Sequence, residues 1–491
     1  MRRPPALVLL GAAVTLAGVA AAAVLFAGAD DAAAPPTTTS STTAASTSSS
    51  VVGTAGAPGV GDPYYPGLGN GGYDVQHYDL GLEWIADRGE LVGRTTITAT
   101  ATQPLSRFNL DLAGLEVQGV RVDGEPAAAA REERELVVTP ASAVAEGGSF
   151  EVVVDYAGRP TPIPEGTRLF DVGWQTDGRE AYVVGEPSGA ATFFPVNDHP
   201  TDKATYTFRI EAPQDQVVAA NGLLVGEPTA PDEGGGRTWT YAMADPMASY
   251  LVQIAIGDYE LVDVVRAGDV VVRHAFHRSI AAEAAATTAR TVRMIEVLSD
   301  VFGPYPFDAY GIVAVDEPLG FALETQTLTL IGSDVARAGP ENDTILLHEL
   351  AHQWVGNAVS PATWKDIWLN EGFATYSEWL WFERTGGLSA AEIARRRIGQ
   401  DRASLDVPAG DPGADELFSE TVYQRGGLTL QALREAVGDS PFFEILRTWI
   451  SEQSGGVAST TDLVELAERV SGMQLDELFQ RWLFAPDLPD L

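Results

Sequence analysis

His348 and His352 stand four residues apart in an apolar run from Ile345 to Val355, with Glu349 between them and Glu371 following after eighteen intervening residues. At helical spacing the two imidazoles share one face and can chelate a single metal ion. Glu349, beside the first of them, is placed to reach a metal-bound water rather than the metal. Glu371 belongs to a second helical run, Asn370 to Arg384, which can lie alongside the first and supply a third ligand. Two His and one Glu leave the fourth position open, as a catalytic zinc requires. The bland alternative is a pair of core histidines on a buried helix. It fits poorly with a chain that has only six His in 491 residues.

Composition narrows the setting. A net charge of −37, from 31 basic against 68 acidic residues, argues against nucleic acid, whose phosphates need a basic face. The absence of cysteine excludes thiol catalysis, thiolate-ligated metal and disulfides. The length suits about three domains, or two with tails.

The N-terminus speaks to compartment. Arg2 and Arg3 precede an uncharged, mostly apolar run from Ala6 to Gly28. The small-residue pattern Ala27-Gly28-Ala29 suits a cleaved signal peptide, whereas the length of the run suits a single-pass anchor, which is slightly favoured. On either reading the remainder is exported, so residues 1–29 predict an extracytoplasmic protein, membrane-anchored or secreted. Residues 30–72 are rich in Ala, Pro, Thr, Ser and Gly and are expected to form a disordered linker.

From residue 73 to 259 the period is two. Tyr78, Leu80, Leu82 and Trp84 alternate with Asp79, Gly81 and Glu83, and Phe150, Val152, Val154 and Tyr156 repeat the pattern. Phe108-Leu110-Leu112 and Tyr206-Phe208-Ile210 read as further strands, giving an all-β, sandwich-like domain. His199, in a turn-rich stretch, reads as structural. From 260 to 491 the chain becomes an α+β, mainly helical domain. Ser279 to Phe302 reads as one long amphipathic helix, and further helices are expected at Thr421–Val437, Pro441–Glu452 and Thr461–Val470. Tyr310–Val315 and Leu328–Ile331 read as strands, and Asn342 or Asp343 as the cap of the metal helix. Trp379, Trp381 and Phe382 read as core, and His274 and His277 as surface residues.

With these segments in place, the chain resembles the zinc aminopeptidase family of aminopeptidase N and the leukotriene hydrolase, within the gluzincin clan. Trp368-Leu369-Asn370-Glu371-Gly372-Phe373-Ala374 is similar to that family's third-ligand stretch. Phe321-Ala322-Leu323-Glu324-Thr325 resembles a degenerate form of its Gly-Ala-Met-Glu-Asn motif, and Tyr423-Gln424-Arg425-Gly426 its Tyr-Glu-Lys-Gly. Phe194 through Lys203 resembles a stretch of its N-terminal β-domain, which puts Glu186 at a second amine-binding position.

The resemblance implies a thermolysin-like catalytic domain with one Zn2+ on His348, His352 and Glu371, and Glu349 as general base. It makes Tyr423 the oxyanion donor, Glu324 and Glu186 the amine anchors, and Ala322 and Leu323 the substrate-backbone contacts. Substrates would be peptides with a free N-terminus. The resemblance also implies an end at Trp482 to Pro486 without the family's large helical C-terminal domain, and hence a more open cleft. Two other readings remain at this stage: a zinc endopeptidase of related fold, testable on blocked substrates, and a surface binding module with an idle metal site.

Overall fold

The computed structural model describes residues 52–491 except 165–169, 231–234, 340–342, 403–404 and 406, and describes only the backbone of 263–266 and 401. The signal or anchor over 1–29 and the Ser/Thr run at 37–50 lie outside the described residues. No described helix is long and apolar enough to cross a membrane.

The period-two segments build an eight-stranded sheet. Its order is Leu223–Leu224, Arg237–Met247, Ala204–Ala212, Tyr73–Ile85, Glu90–Ala101, Ser149–Gly158, Glu116–Val122 and Glu125–Pro126. Pairing is antiparallel except between Ala204–Ala212 and Tyr73–Ile85, which run parallel with Tyr206 opposite Tyr78 and the two rings stacked at 5.1 Å. Tyr78, Leu80, Leu82 and Trp84 are buried while Glu83 is exposed, so the alternation puts one face in the core and the other toward water.

Two smaller sheets cover that apolar face. A four-stranded sheet packs Phe108 against Phe150 at 5.4 Å, and a five-stranded sheet packs Trp174 against Trp84 at 5.5 Å. The expected all-β, sandwich-like domain is therefore observed, with one half of the sandwich divided in two.

A fourth sheet opens the second part of the chain: Tyr259–Ala267, Val270–His277, Ile312–Ala314, Thr329–Ile331 and Ala322–Leu323, in that order, with Ala309–Tyr310 also paired to Val270–His277. Ala322–Leu323 forms its edge, antiparallel to Thr329–Ile331.

Ten α-helices accompany this sheet among the described residues: α1 (Ala281–Thr287), α2 (Thr291–Phe302), α3 (Ser333–Ala336), α4 (Asp343–Ala351), α5 (Trp368–Arg384), α6 (Ala390–Asp401), α7 (Glu420–Val437), α8 (Asp439–Gln453), α9 (Thr460–Ser471) and α10 (Asp476–Phe479). α7, α8 and α9 match their expected spans to within two residues. Serines cap α6 and α9, each accepting from the third helical N–H in a capping box with Glu392 or Asp462.

Several expectations need correction. The linker expected over 30–72 is packed structure from 52 onward. Thr54–Ala55 pairs with Leu105–Asp111, and Asp62, 2 % exposed, accepts hydrogen bonds from the N–H groups of Tyr64, Tyr65 and Trp364. His199 completes that junction at 3.2 Å from Asp62, so it is indeed structural. Composition misled here because one buried carboxylate with several donors organises a stretch that has little apolar material of its own.

The single helix expected over Ser279–Phe302 is broken between α1 and α2. Thr288 donates its hydroxyl to the Ala284 carbonyl and Thr291 to that of Thr288, side-chain bonds that compete with the helical ladder. His274 is buried rather than at the surface, accepting from the Ile312 N–H at 3.1 Å. Burial pushes its pKa down to about 3. Its strand is covered on both faces, which sequence spacing alone does not reveal. Trp379 and Trp381 are core, but Phe382 is 41 % exposed.

Candidate active site

α4 is shorter than the apolar run suggests. The α-helix stops at Ala351, and the N–H groups of Asn357, Ala358 and Val359 reach five residues back to His352, Gln353 and Trp354 in wider turns. His352 still bonds its N–H to the His348 carbonyl, so the spacing of four that aligns the two imidazoles survives.

The ring orientations are set by the nitrogens facing away from the centre. His348 Nδ1 lies 2.8 Å from Glu378 Oε1, and His352 Nδ1 lies 3.1 Å from the Val355 carbonyl. With each Nδ1–H so engaged, both Nε2 atoms face one point, where they can ligate a metal once deprotonated. Glu371 Oε2 is 3.1 Å from His348 Nε2 and 3.5 Å from His352 Nε2. Outer hydrogen bonds of this kind fix the tautomer and raise the basicity of ligating imidazoles. Glu378 was not singled out from sequence. It lies seven residues after Glu371 on α5, two turns along the same face, which is the signal that could have found it.

Tyr423 is brought to this point because two glycines let α5 and α7 meet. A Cβ on Gly372 would lie 2.8 Å from the Cα of Gly426, and one on Gly426 would lie 2.7 Å from the Cα of Gly372. α5 and α7 therefore cross at backbone contact, and the Tyr423 ring stacks on His348 at 5.7 Å and 24°. Arg425 explains why a guanidinium serves in the same motif: it donates to the carbonyls of Trp482, Leu405, Val407 and Ala485, a planar array that an ammonium with three donors does not match.

Glu324 and Glu186 arrive from the other side. Glu324 follows the edge strand. Glu186 follows Gly185, where a Cβ would meet the Tyr250 carbonyl at 2.1 Å, so only glycine lets that loop lie against Tyr250. One ligand atom each of His348, His352 and Glu371 lies within 4.8 Å of the others, and so does one each of Glu186, Glu324 and Glu371. Glu324 Oε1 is buried without a hydrogen-bond partner. All of these groups and Glu349 line a cavity of about 400 Å³, which also carries Ala322, Leu323 and a half-buried aromatic wall of Phe170, Phe321 and Phe418. Every site residue expected from sequence is thus brought to one cavity.

The electrostatics are those of crowded acids. Burial pushes the Glu349 carboxyl up to about 8, with Glu324 and Glu371 adding to the rise and the two imidazoles opposing it. Burial also works to raise Glu371, yet His352 and His348 outweigh it and hold the group at about 2. Burial lowers and the Glu371 and Glu378 carboxylates raise His348, ending well above the ordinary range. Burial, reinforced by Glu371, Glu186, Glu324 and Glu349, keeps the Tyr423 phenol protonated. The donor set of two imidazoles and a carboxylate, with its counter-bonds already made, fits a tetrahedral zinc with an open corner.

Two family models match the chain: the peptidase M1 N-terminal domain over residues 74–251 and the peptidase family M1 domain over 286–482. Among curated proteins, Aminopeptidase 2 of Candida albicans is 25 % identical over 83 % of this chain, and Aminopeptidase M1-A of Oryza sativa subsp. japonica is 26 % identical over 83 %. The chain spans about half the length of these relatives, 46 % and 50 %. A solved M1 zinc metallopeptidase from Deinococcus radiodurans is 34 % identical with a TM-score of 0.81, covering 88 % of this chain and 98 % of that one. A glutamate-to-alanine variant of an M1 zinc metallopeptidase from Deinococcus radiodurans, bound to a Tyr-Ser-Ala substrate, aligns with a TM-score of 0.80 at 34 % identity, covering 88 % of this chain and 99 % of that one.

Proposed function

The chain belongs to peptidase family M1, and from that membership we propose that it is a zinc-dependent aminopeptidase, removing the N-terminal residue of peptides. One observation carries the reading: the two groups of three converging side chains share Glu371, so that carboxylates suited to pairing with an amine stand beside the two imidazoles. A free N-terminus has a pKa of about 8 and is largely cationic at neutral pH. An ammonium paired with one carboxylate at about 4 Å gains on the order of 4 kcal/mol before desolvation at an effective dielectric of 20. Even about 1.4 kcal/mol net selects the free terminus tenfold.

His348 Nε2, His352 Nε2 and Glu371 Oε2 would hold the zinc. When bound, the metal supplies an acidified water and a polarised scissile carbonyl. Glu349 takes the proton of the attacking water and delivers it to the departing amine nitrogen. Tyr423 donates its hydroxyl to the oxygen that gains charge during attack, a role suited to a phenol that burial keeps protonated. Glu324 and Glu186 hold the ammonium, and the open edge at Ala322 and Leu323 takes the substrate backbone by strand addition.

A panel of aminoacyl fluorogenic amides, run with and without chelator and with an N-acetylated control, tests this. Activity that survives the chelator, or equal turnover of the acetylated control, refutes it. The Arg2, Arg3 and 6–28 pattern supports export, anchored or secreted. N-terminal sequencing and fractionation of the expressed protein decide between these, and a fully cytoplasmic protein with its leader intact refutes both.

A further inference from the structure

Glu324 stands just beyond the edge strand, where the sheet ladder no longer holds the backbone, yet its side chain must aim at a substrate amine next to the metal ligands. Two amide side chains take over from the ladder. Gln353 Nε2 donates to the Glu324 carbonyl at 2.9 Å and Asn357 Nδ2 donates to the same oxygen at 2.7 Å. Gln353 Oε1 also accepts the Thr327 N–H at 2.9 Å, where the backbone takes the left-handed value φ 63°. Both amides are fully buried and follow the metal ligand His352 by one and five residues.

Their own backbone is fixed in turn. The Asn357 N–H bonds the His352 carbonyl at 2.9 Å, and Lys203 of the β part donates to the carbonyls of Asn357 and Ala358 at 2.8 and 3.1 Å. The amine anchor is thus tied to the segment that carries a metal ligand, rather than to its own sheet.

We propose that Gln353 and Asn357 are positioning residues that set the separation between the metal site and the Glu324 carboxylate, and thereby confine the enzyme to α-amino peptides. The inference rests on the aminopeptidase reading and deepens it. A β-amino homologue displaces the ammonium from the scissile carbonyl by one further C–C bond, about 1.5 Å. A misplacement of about 1 Å can reduce rate by about 10²-fold where the frame is rigid. A loosened frame would tolerate the extra carbon.

Three leucyl amides provide the test: the α-amino form, its β-amino homologue and the N-acetylated form, assayed on wild type, Gln353→Leu, Asn357→Leu and Asn357→Asp. The Asp variant keeps the shape of Asn without its donors, so it carries the test if the Leu variants do not fold. The expected result is a fall of about tenfold or more in the α-over-β and free-over-acetylated kcat/KM ratios. Calorimetric binding of free L-leucine and its β-homologue should show the same narrowing. A uniform loss on all three substrates, with the ratios kept, marks the amides as structural and overturns the proposal. A wild type that ignores acetylation overturns the aminopeptidase reading itself.

Discussion

Removing the Glu378 carboxylate should weaken zinc binding without touching any ligand. Glu378 Oε1 accepts from His348 Nδ1 at 2.8 Å, and the other nitrogen of that ring faces Glu371. A hydrogen bond to a charged group contributes about 1.5–3 kcal/mol. Loss of such an outer-shell partner typically reduces metal affinity or activity by about 10- to 100-fold, or about 1.4–2.8 kcal/mol, so the two estimates agree. Glu378→Gln keeps an acceptor and loses the charge, and should fall near the lower figure. Glu378→Ala loses both and should fall near the upper one. Competition against a chelator of known affinity reads the effect directly, and excess zinc should restore most of the turnover. If both variants bind zinc indistinguishably from wild type, the ring is held by packing against Tyr423 alone and the reasoning fails.

Glu349→Gln should lower kcat by about 10²–10⁴-fold while leaving zinc content intact, and a variant with near-normal turnover would remove the general base from the mechanism. Gly426→Ala forces a methyl into the Gly372 backbone. About 1–3 kcal/mol of destabilisation and a drop in kcat are expected from thermal melts and kinetics, and an unchanged melt would mean that the two helices can separate freely. Zinc binding should release protons. Burial lowers the pKa of the metal-free His348 and His352 imidazoles, but their carboxylate neighbours raise it by more, so acid favours the metal-free form and apparent affinity rises with pH. Calorimetry in buffers of different ionisation enthalpy measures the release, and the absence of any buffer dependence would contradict it.

The two imidazoles of the proposed metal site were legible because chelation needs a spacing of four on one helical face, and Glu371 because it follows at a fixed distance on a second helix. The β domain was legible because one buried sheet face imposes alternation. Glu378 was not read, since a glutamate on a half-buried face looks like any solvated acid until the ring it touches is in place. Gly372 and Gly426 could not be paired from sequence, because helix crossing is a long-range fact. His274 looked superficial for the same reason: burial depends on what covers a strand. The split of α1 from α2 reflects threonine side chains that offer the backbone an alternative partner, a local choice that apolar periodicity does not record.

The junction at Asp62 has a practical bearing. The recognisable β domain begins at residue 74, yet Asp62 receives N–H groups from Tyr64, Tyr65 and Trp364 and meets the ring of His199, while Tyr64 donates its hydroxyl to Asp411. A protein trimmed at residue 74 would deprive the Trp364 amide and the His199 imidazole of the carboxylate they share, each loss worth about 1–3 kcal/mol. What the family models match is therefore smaller than what folds together, and an expression boundary drawn at residue 74 would sever the strap that buckles the two halves.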